Sequence, residues 1–383
     1  MTAADNRRFD DANRSSADID RRALLGLGAA AASLALPVPD ARAADTAMRI
    51  DSYTHFSSRK FLAFAERQVA GIPPAISVYG RLPTLFDHDS RLNLMDQNEI
   101  ALHVLVPVPW LELFPAIAND RKLAAEAARL MNDELAAFIA GRPGRFRGVA
   151  LLPTVDPESM LAELHRAVKE LDFIGAYLPV GPSAKRVDHP DFEPLYKAIV
   201  DLDVALWLHP SRPPMPEYAD EKASRFFEWQ IEGWLSDTSS AMFRIVFAGV
   251  FDRYPDIRII THHAGGMLPT SAKRADAMWG VFEFAGARLP TTVSKPYIDH
   301  FRKFYCDTAA FGYAPKVLEL AIDFFGPDRV LFGTDTPFDA TAGRYITQET
   351  LRSIEAVEMP SLPRATLRAA LLNGNAKRIF KLT

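Results

Sequence analysis

Cysteine is almost absent from this 383-residue chain, since Cys306 stands alone. No intramolecular disulfide can form, and a cysteine-based metal site is excluded. Its setting, KFYCDTAA, is that of a buried strand in which a thiol acts as a small apolar side chain. Charge of one sign is also scarce. The formal net charge is −4 and the pI is near 6.2, with basic residues scattered, so there is no electrostatic footprint for nucleic acid. Glycine-rich phosphate turns are missing too: neither GxGxxG nor GxxxxGK[ST] follows any run that reads as a strand. The one uncharged stretch of note, ALLGLGAAAASLALPV at 23–38, is too short and too rich in alanine and glycine for a stable membrane span, which takes about 20 strongly apolar residues.

What remains is a composition of 48% hydrophobic and 24% charged residues, that of a soluble globular protein able to bury a sizeable core. Residues 1–44 stand apart. A polar stretch leads to Arg21-Arg22, the uncharged run and then Ala41-Arg42-Ala43, a small-x-small cleavage pattern. This order reads as a twin-arginine export signal, with a disordered tail or an uncleaved anchor as the alternatives; export implies a mature chain from about residue 45 and a periplasmic location.

Eight short apolar runs follow, at 48–56, 101–109, 146–154, 173–180, 204–211, 257–265, 304–312 and 330–337. Most are continuously apolar rather than alternating, as expected of parallel strands covered on both faces. Helical patterns separate them, as in 123–140, 157–172 and 190–203. Eight alternations predict a single-domain (β/α)8 TIM barrel over 45–383, and a doubly wound open sheet is the fallback. Two connections, 57–100 and 212–256, are longer than a barrel needs and would sit over its active face. The second carries Phe226, Phe227, Trp229 and Trp234, expected to form one buried helix face or else a subunit contact.

The chemistry follows from where histidines fall. His55, His209 and the His262-His263 pair end predicted strands 1, 5 and 6, and Asp335 ends strand 8. In a barrel those ends converge on one mouth, so imidazoles distant in sequence can surround one ion with a carboxylate.

These residues resemble the amidohydrolase superfamily, in particular the branch related to aminocarboxymuconate-semialdehyde decarboxylase. RIDSYTHF is similar to the first-strand motif, VALWLHP carries the fifth-strand histidine, IRIITHHAGGMLP the sixth, and VLFGTDTPF the eighth-strand aspartate. The ending LLNGNAKRIFKL is similar to the family's terminal asparagine helix. The resemblance implies one divalent metal, zinc or manganese, held by His55, His209 and Asp335. It implies that His263 activates water or handles the proton, with His262 as its neighbour in the strand, and that Arg274 holds a substrate carboxylate. Asp307 would position a catalytic group or serve as a structural hydrogen bonder. No lysine stands near the end of strand 4, where binuclear members carry one, so a single metal is expected.

Tyr53 is the departure. Residues two apart share a strand face, so Tyr53 stands where the family's HxH motif has its first histidine and some related decarboxylases have glutamate. It is a metal ligand, or a contact beside a three-ligand site, or the mark of a barrel with weakened metal binding. Two reactions suit the constellation. One is non-oxidative decarboxylation of a small unsaturated or phenolic carboxylic acid. The other is hydrolysis of a lactone or amide with Asp335 or His263 as general base. A degenerate, non-catalytic periplasmic barrel is the third reading. The partners expected are a small carboxylate substrate and, by resemblance, a second copy in a homodimer.

Overall fold

The computed structural model describes residues 49–382 except 70–75, 77–78, 109–110, 183, 213–214 and 290. The predicted export signal and its cleavage site lie outside the described residues. The strands are β1 (Arg49–Phe56), β2 (Ile100–Pro107), β3 (Phe146–Gly148), β4 (Gly175–Val180), β5 (Ala205–Pro210), β6 (Arg258–Thr261), β7 (Tyr305–Asp307) and β8 (Val330–Leu331). They pair in parallel in the orders β1-β2-β3 and β4-β5-β6-β7-β8. Parallel bridges close both gaps, Ala150 to Ala176 and Thr54 to Thr336. Backbone hydrogen bonds reinforce them, from Tyr177 N to Ala150 O at 3.0 Å and from His55 N to Thr336 O at 2.8 Å. The eight strands thus form the expected barrel.

One main helix accompanies each strand. These are α1 (His88–Gln97), α2 (Arg121–Ala140), α3 (Pro157–Lys169), α4 (Glu193–Asp201), α5 (Gly233–Phe247), α6 (Leu268–Phe284), α7 (Pro315–Phe325) and α8 (Arg344–Ala356). Asp87, Asp120 and Asp156 cap α1, α2 and α3 by accepting from backbone N–H groups of the first turn, which satisfies donors the helix itself cannot. None of the described helices is long and apolar enough to cross a membrane.

Burial explains the continuous apolar runs. All of β4 and β5 is buried, with Tyr177 and Trp207 among the largest fully buried side chains. At the other end of the chain, Asn375 donates to Pro327 O at 2.8 Å and Val330 O at 2.7 Å, and Phe380 stacks on Trp207. The terminal asparagine helix therefore plugs the barrel end opposite the site. Cys306 is buried in β7.

Two expectations are corrected here. The run 330–337 supplies only two ladder residues, because Phe332 N turns to Leu371 O and Asp335 adopts a left-handed φ of 62°. The aromatic insertion is not one buried helix face. Phe227 has a left-handed φ of 57° and the helix that follows is only Glu228–Ile231, so Phe226 and Phe227 are left exposed while Trp229 is buried.

Candidate metal centre and active-site cavity

Strand alternation turns Tyr53 and His55 to the same face of β1, and both are buried. The Tyr53 Oη lies 3.0 Å from His55 Nε2 and 2.9 Å from His209 Nε2. The two imidazole nitrogens are 3.4 Å apart, and Asp335 Oδ1 is 2.9 Å from His55 Nε2. Four donor atoms from β1, β5 and the segment after β8 therefore meet at one mouth.

Hydrogen-bond partners assign the tautomers. His55 Nδ1 donates to Val106 O at 3.1 Å, and His209 Nδ1 donates to Pro210 O at 2.7 Å. A carbonyl can only accept, so each ring carries a proton on Nδ1, and the neutral ring then offers a lone pair at Nε2. Such a backbone anchor is how metal-binding histidines are held. Burial, then the neighbouring His55 and His262, pull the His209 imidazole well below its usual range, so it is neutral. Burial pushes the Asp335 carboxyl up, but the hydrogen bond with His263, the largest opposing cause, helps to hold it below the usual carboxylate range. Burial, then the charges of Asp335 and Asp307, raise the Tyr53 phenol well above its ordinary value.

The cluster is short of hydrogens. Two imidazole lone pairs and a carboxylate face a single phenolic O–H, and Asp335 Oδ1 has no hydrogen-bond partner. Acceptors in excess in a buried place call for a cation. Donors about 2.1 Å from a shared ion lie about 3.0 Å apart when cis in an octahedron and about 3.4 Å apart in a tetrahedron, and the observed separations span this range. His, Cys, Asp and Glu alone form no ready cage among the described residues. The donor set converges once the Tyr53 oxygen is counted.

His262 and His263 sit just past β6. His262 is buried against Tyr53, ring centroids 3.5 Å apart, and its Nδ1 meets Asp307 Oδ2 at 2.6 Å. Asp307 Oδ1 also accepts from His263 N and Ala309 N, both at 3.0 Å, which ties β7 to this turn. Burial, foremost, lifts the Asp307 carboxyl to about 7. His263 has a left-handed φ of 57°, and its Nε2 is 3.4 Å from Asp335 Oδ2. Gly266, with a φ of 62°, completes the turn, where a Cβ would fall 2.8 Å from Leu235 O. Burial lowers the His263 imidazole, but Asp335 and Asp307 outweigh it and leave the ring raised.

A cavity opens over the cluster, walled by Tyr79, Trp229, Trp234 and Phe338 with Arg212 at its edge. Both long insertions supply walls, as their placement predicts. Arg274 does not line it: this residue is exposed on α6 and has no hydrogen bond or ion pair among the described residues. The helix face that carries Arg274 is thus turned away from this cavity within the chain. Arg212 was not singled out by sequence, although it stands three residues past His209 in HPSRPP.

Comparison with known proteins gives the family. The Amidohydro_2 (amidohydrolase) family profile matches residues 50–382. A γ-resorcylate decarboxylase of Polaromonas sp. JS666 is 33% identical over 308 residues, 77% of this chain and 87% of the relative. A 2-amino-3-carboxymuconate-6-semialdehyde decarboxylase of Dictyostelium discoideum is 26% identical, covering 78% of this chain and 77% of the relative. The crystal structure of the dihydroxybenzoic acid decarboxylase of Polaromonas sp. JS666, with bound manganese and 2-nitroresorcinol, superposes with a TM-score of 0.69 at 29% identity, covering 87% of this chain and 97% of that one. The chain belongs to the amidohydrolase family, in the branch that holds the γ-resorcylate and aminocarboxymuconate-semialdehyde decarboxylases.

Proposed function

We propose that this protein is a divalent-cation-dependent, non-oxidative decarboxylase of a small aromatic carboxylic acid. The observation that carries the reading is the acceptor-rich cluster of Tyr53, His55, His209 and Asp335 under an aromatic-walled cavity, in a chain whose relatives are decarboxylases. His55, His209 and Asp335 would hold the cation, with the Tyr53 oxygen as the fourth protein donor. Two nitrogens and two oxygens suit manganese better than a nitrogen-rich set would. When bound, the cation supplies Lewis acidity to a substrate oxygen.

The protein's own groups do the rest. Trp229, Trp234 and Phe338 line the cavity and would pack on the substrate ring and keep water from it. In the reaction the carbon–carboxyl bond breaks, its electron pair stays on the ring carbon, carbon dioxide leaves, and a proton replaces it. His263, whose Nε2 is 3.4 Å from Asp335 Oδ2, would hold that proton on its imidazole. Asp307 fixes the backbone of His263 and the ring of His262 so that this geometry persists.

The test is carbon dioxide release from a panel of hydroxybenzoic acids, together with metal content. Tyr53→Phe should weaken cation affinity by about 10–100-fold, and Tyr53→His should bring it back to the wild-type level or tighter. Acid release from lactones or amides without carbon dioxide would replace the reading with a hydrolase. A wild-type protein that binds no divalent cation would remove the metal-dependent mechanism.

A further inference from the structure

The cavity over the donor cluster has a volume of about 50 Å³, room for a few water molecules. A single benzene ring needs about 150 Å³, so no aromatic acid fits while the walls stand where they are. One of the walls must give, and the strength of the ties between them decides which.

On one side stands Arg212, which lines both this cavity and a neighbouring one of about 270 Å³. Its Nε donates to Asp237 Oδ2 at 2.8 Å and its Nη2 to Asp237 Oδ1 at 2.7 Å, and the Asp237 side chain is only 7% exposed. Parting them would leave a buried carboxylate unpaired, which lowers the population of such a state by about a hundredfold or more. Phe338 is held between rings, its centroid 5.0 Å from that of His55 and 4.9 Å from that of Tyr79. Trp234 belongs to the first turn of α5 and lies nearly parallel to the His263 ring. These walls are fixed.

The remaining wall is a strap. Residues 217–231 belong to the second insertion and are tied to themselves, since Glu217 Oε1 accepts from Ser224 Oγ at 2.7 Å and from Trp229 N at 3.0 Å. The strap ends in the short helix Glu228–Ile231, which lends Trp229 and Gln230 to the cavity wall and leaves Ile231 exposed, with Phe226 and Phe227 before it. Among the described residues, one hydrogen bond joins the strap to a part of the chain outside the second insertion: Gln230 Nε2 donates to Tyr79 Oη at 3.2 Å. Tyr79 comes from the first insertion, so this bond closes the roof between the two. It is neutral, at the long end of the ordinary range and only partly buried, so water can replace either partner.

We infer that residues 217–231 form a lid, closed in this structure and latched by Gln230 and Tyr79, and that ligands reach the donor cluster only when it lifts. Lifting withdraws Trp229 and Gln230 from the wall and breaks no ion pair. The cost is exposure of the Trp229 ring, which stands edge-on to Trp234 with centroids 5.7 Å apart. The lid acts on any ligand larger than a few waters, whichever reaction follows.

The test exploits the near absence of cysteine. Cys306 is the chain's one cysteine and is buried in β7, so a thiol introduced into the cavity wall reports on the lid while Cys306 reports on unfolding. Val108→Cys puts that thiol at a position that lines the cavity and is buried. Its reaction with 5,5′-dithiobis(2-nitrobenzoate), a two-ring probe too large for the closed cavity, is followed by absorbance. In the otherwise wild-type protein this thiol should react at least about tenfold more slowly than a free one. Adding Tyr79→Phe or Gln230→Ala should speed it about fivefold, the worth of one neutral hydrogen bond, with the labelling of Cys306 unchanged. Should Val108→Cys fail to fold, Leu113→Cys, in the same wall, gives the same readout. Labelling at the free-thiol rate, latch variants that leave the rate unchanged, or variants that speed both thiols alike would each overturn the lid. Carbon dioxide release has no part in the readout, so the lid and the decarboxylase reading stand or fall separately.

Discussion

Strand β1 passes through two buried polar clusters of opposite character. In the first, Arg91 from α1 donates to His55 O, to Thr84 O at 2.7 Å, to Thr54 Oγ1 at 3.3 Å and to His103 Nδ1 at 3.2 Å. Asp51 beside it accepts from Tyr53 N and Thr334 N, both at 3.2 Å, and from Thr334 Oγ1 at 2.7 Å. In the second, Tyr53, His55, His209 and Asp335 offer lone pairs with one phenolic hydrogen among them. The first cluster carries its own cation and is rich in donors, with Arg91 Nε and His103 Nε2 even left over. The second is rich in acceptors, and the nearest proton carrier beside it is the His263 ring, 3.4 Å from Asp335 Oδ2. Burial alone does not mark a functional site; the sign of the hydrogen-bond imbalance does. A donor-rich cluster with an internal guanidinium holds strands together, whereas an acceptor-rich one has room for an ion from outside.

Substitutions can break this contrast from both sides. His209→Ala should lower carbon dioxide release by at least about a thousandfold, roughly 4 kcal/mol of transition-state stabilisation, and should abolish metal retention. Its unfolding midpoint should stay near wild type, which denaturant titration would check. Arg91→Leu should show the opposite pattern, a loss of about 3–5 kcal/mol of folding stability from stranded buried acceptors. If His209→Ala were as destabilising as Arg91→Leu, the two clusters would be alike and the distinction would fail.

A milder test uses Glu112, which belongs to neither cluster. Its Oε2 is buried without a partner, and burial lifts the carboxyl to about 7 from an ordinary value of 4.5. The folded state therefore holds this proton more tightly than the unfolded chain. Its contribution to stability is fully present below pH 4.5 and is lost as pH rises through 7. Glu112→Gln should leave stability at pH 4 unchanged and raise it at pH 8, by up to about 3 kcal/mol. Thermal unfolding at the two pH values measures this. A Glu112→Gln protein with the wild-type pH dependence would mean that this carboxyl is hydrated and outside the comparison.

Much of this was legible in the sequence, and particular residues show why. Continuous apolar runs mark strands covered on both faces, so all eight strands could be placed from periodicity. His55, His209 and Asp335 could be gathered because a parallel barrel brings all strand C-termini to one mouth. The aromatic insertion was less readable. Whether Trp229 faces the cavity while Phe227 faces solvent depends on a single left-handed residue, which hydrophobic pattern does not report. Arg274 illustrates the same limit: its exposed place on α6 follows from how that helix packs, which no local pattern reports.

By itself the sequence determined the barrel, the strand-end histidines and the oddity of Tyr53, because these follow from local periodicity and from side chains two apart sharing a face. Tertiary structure decided what the oddity means. Only when β1, β5 and the segment after β8 close on one another does the Tyr53 oxygen come within 3.0 Å of both imidazoles. Only then does the shortage of hydrogens that calls for a cation come into being, since it belongs to the cluster and to no residue in it.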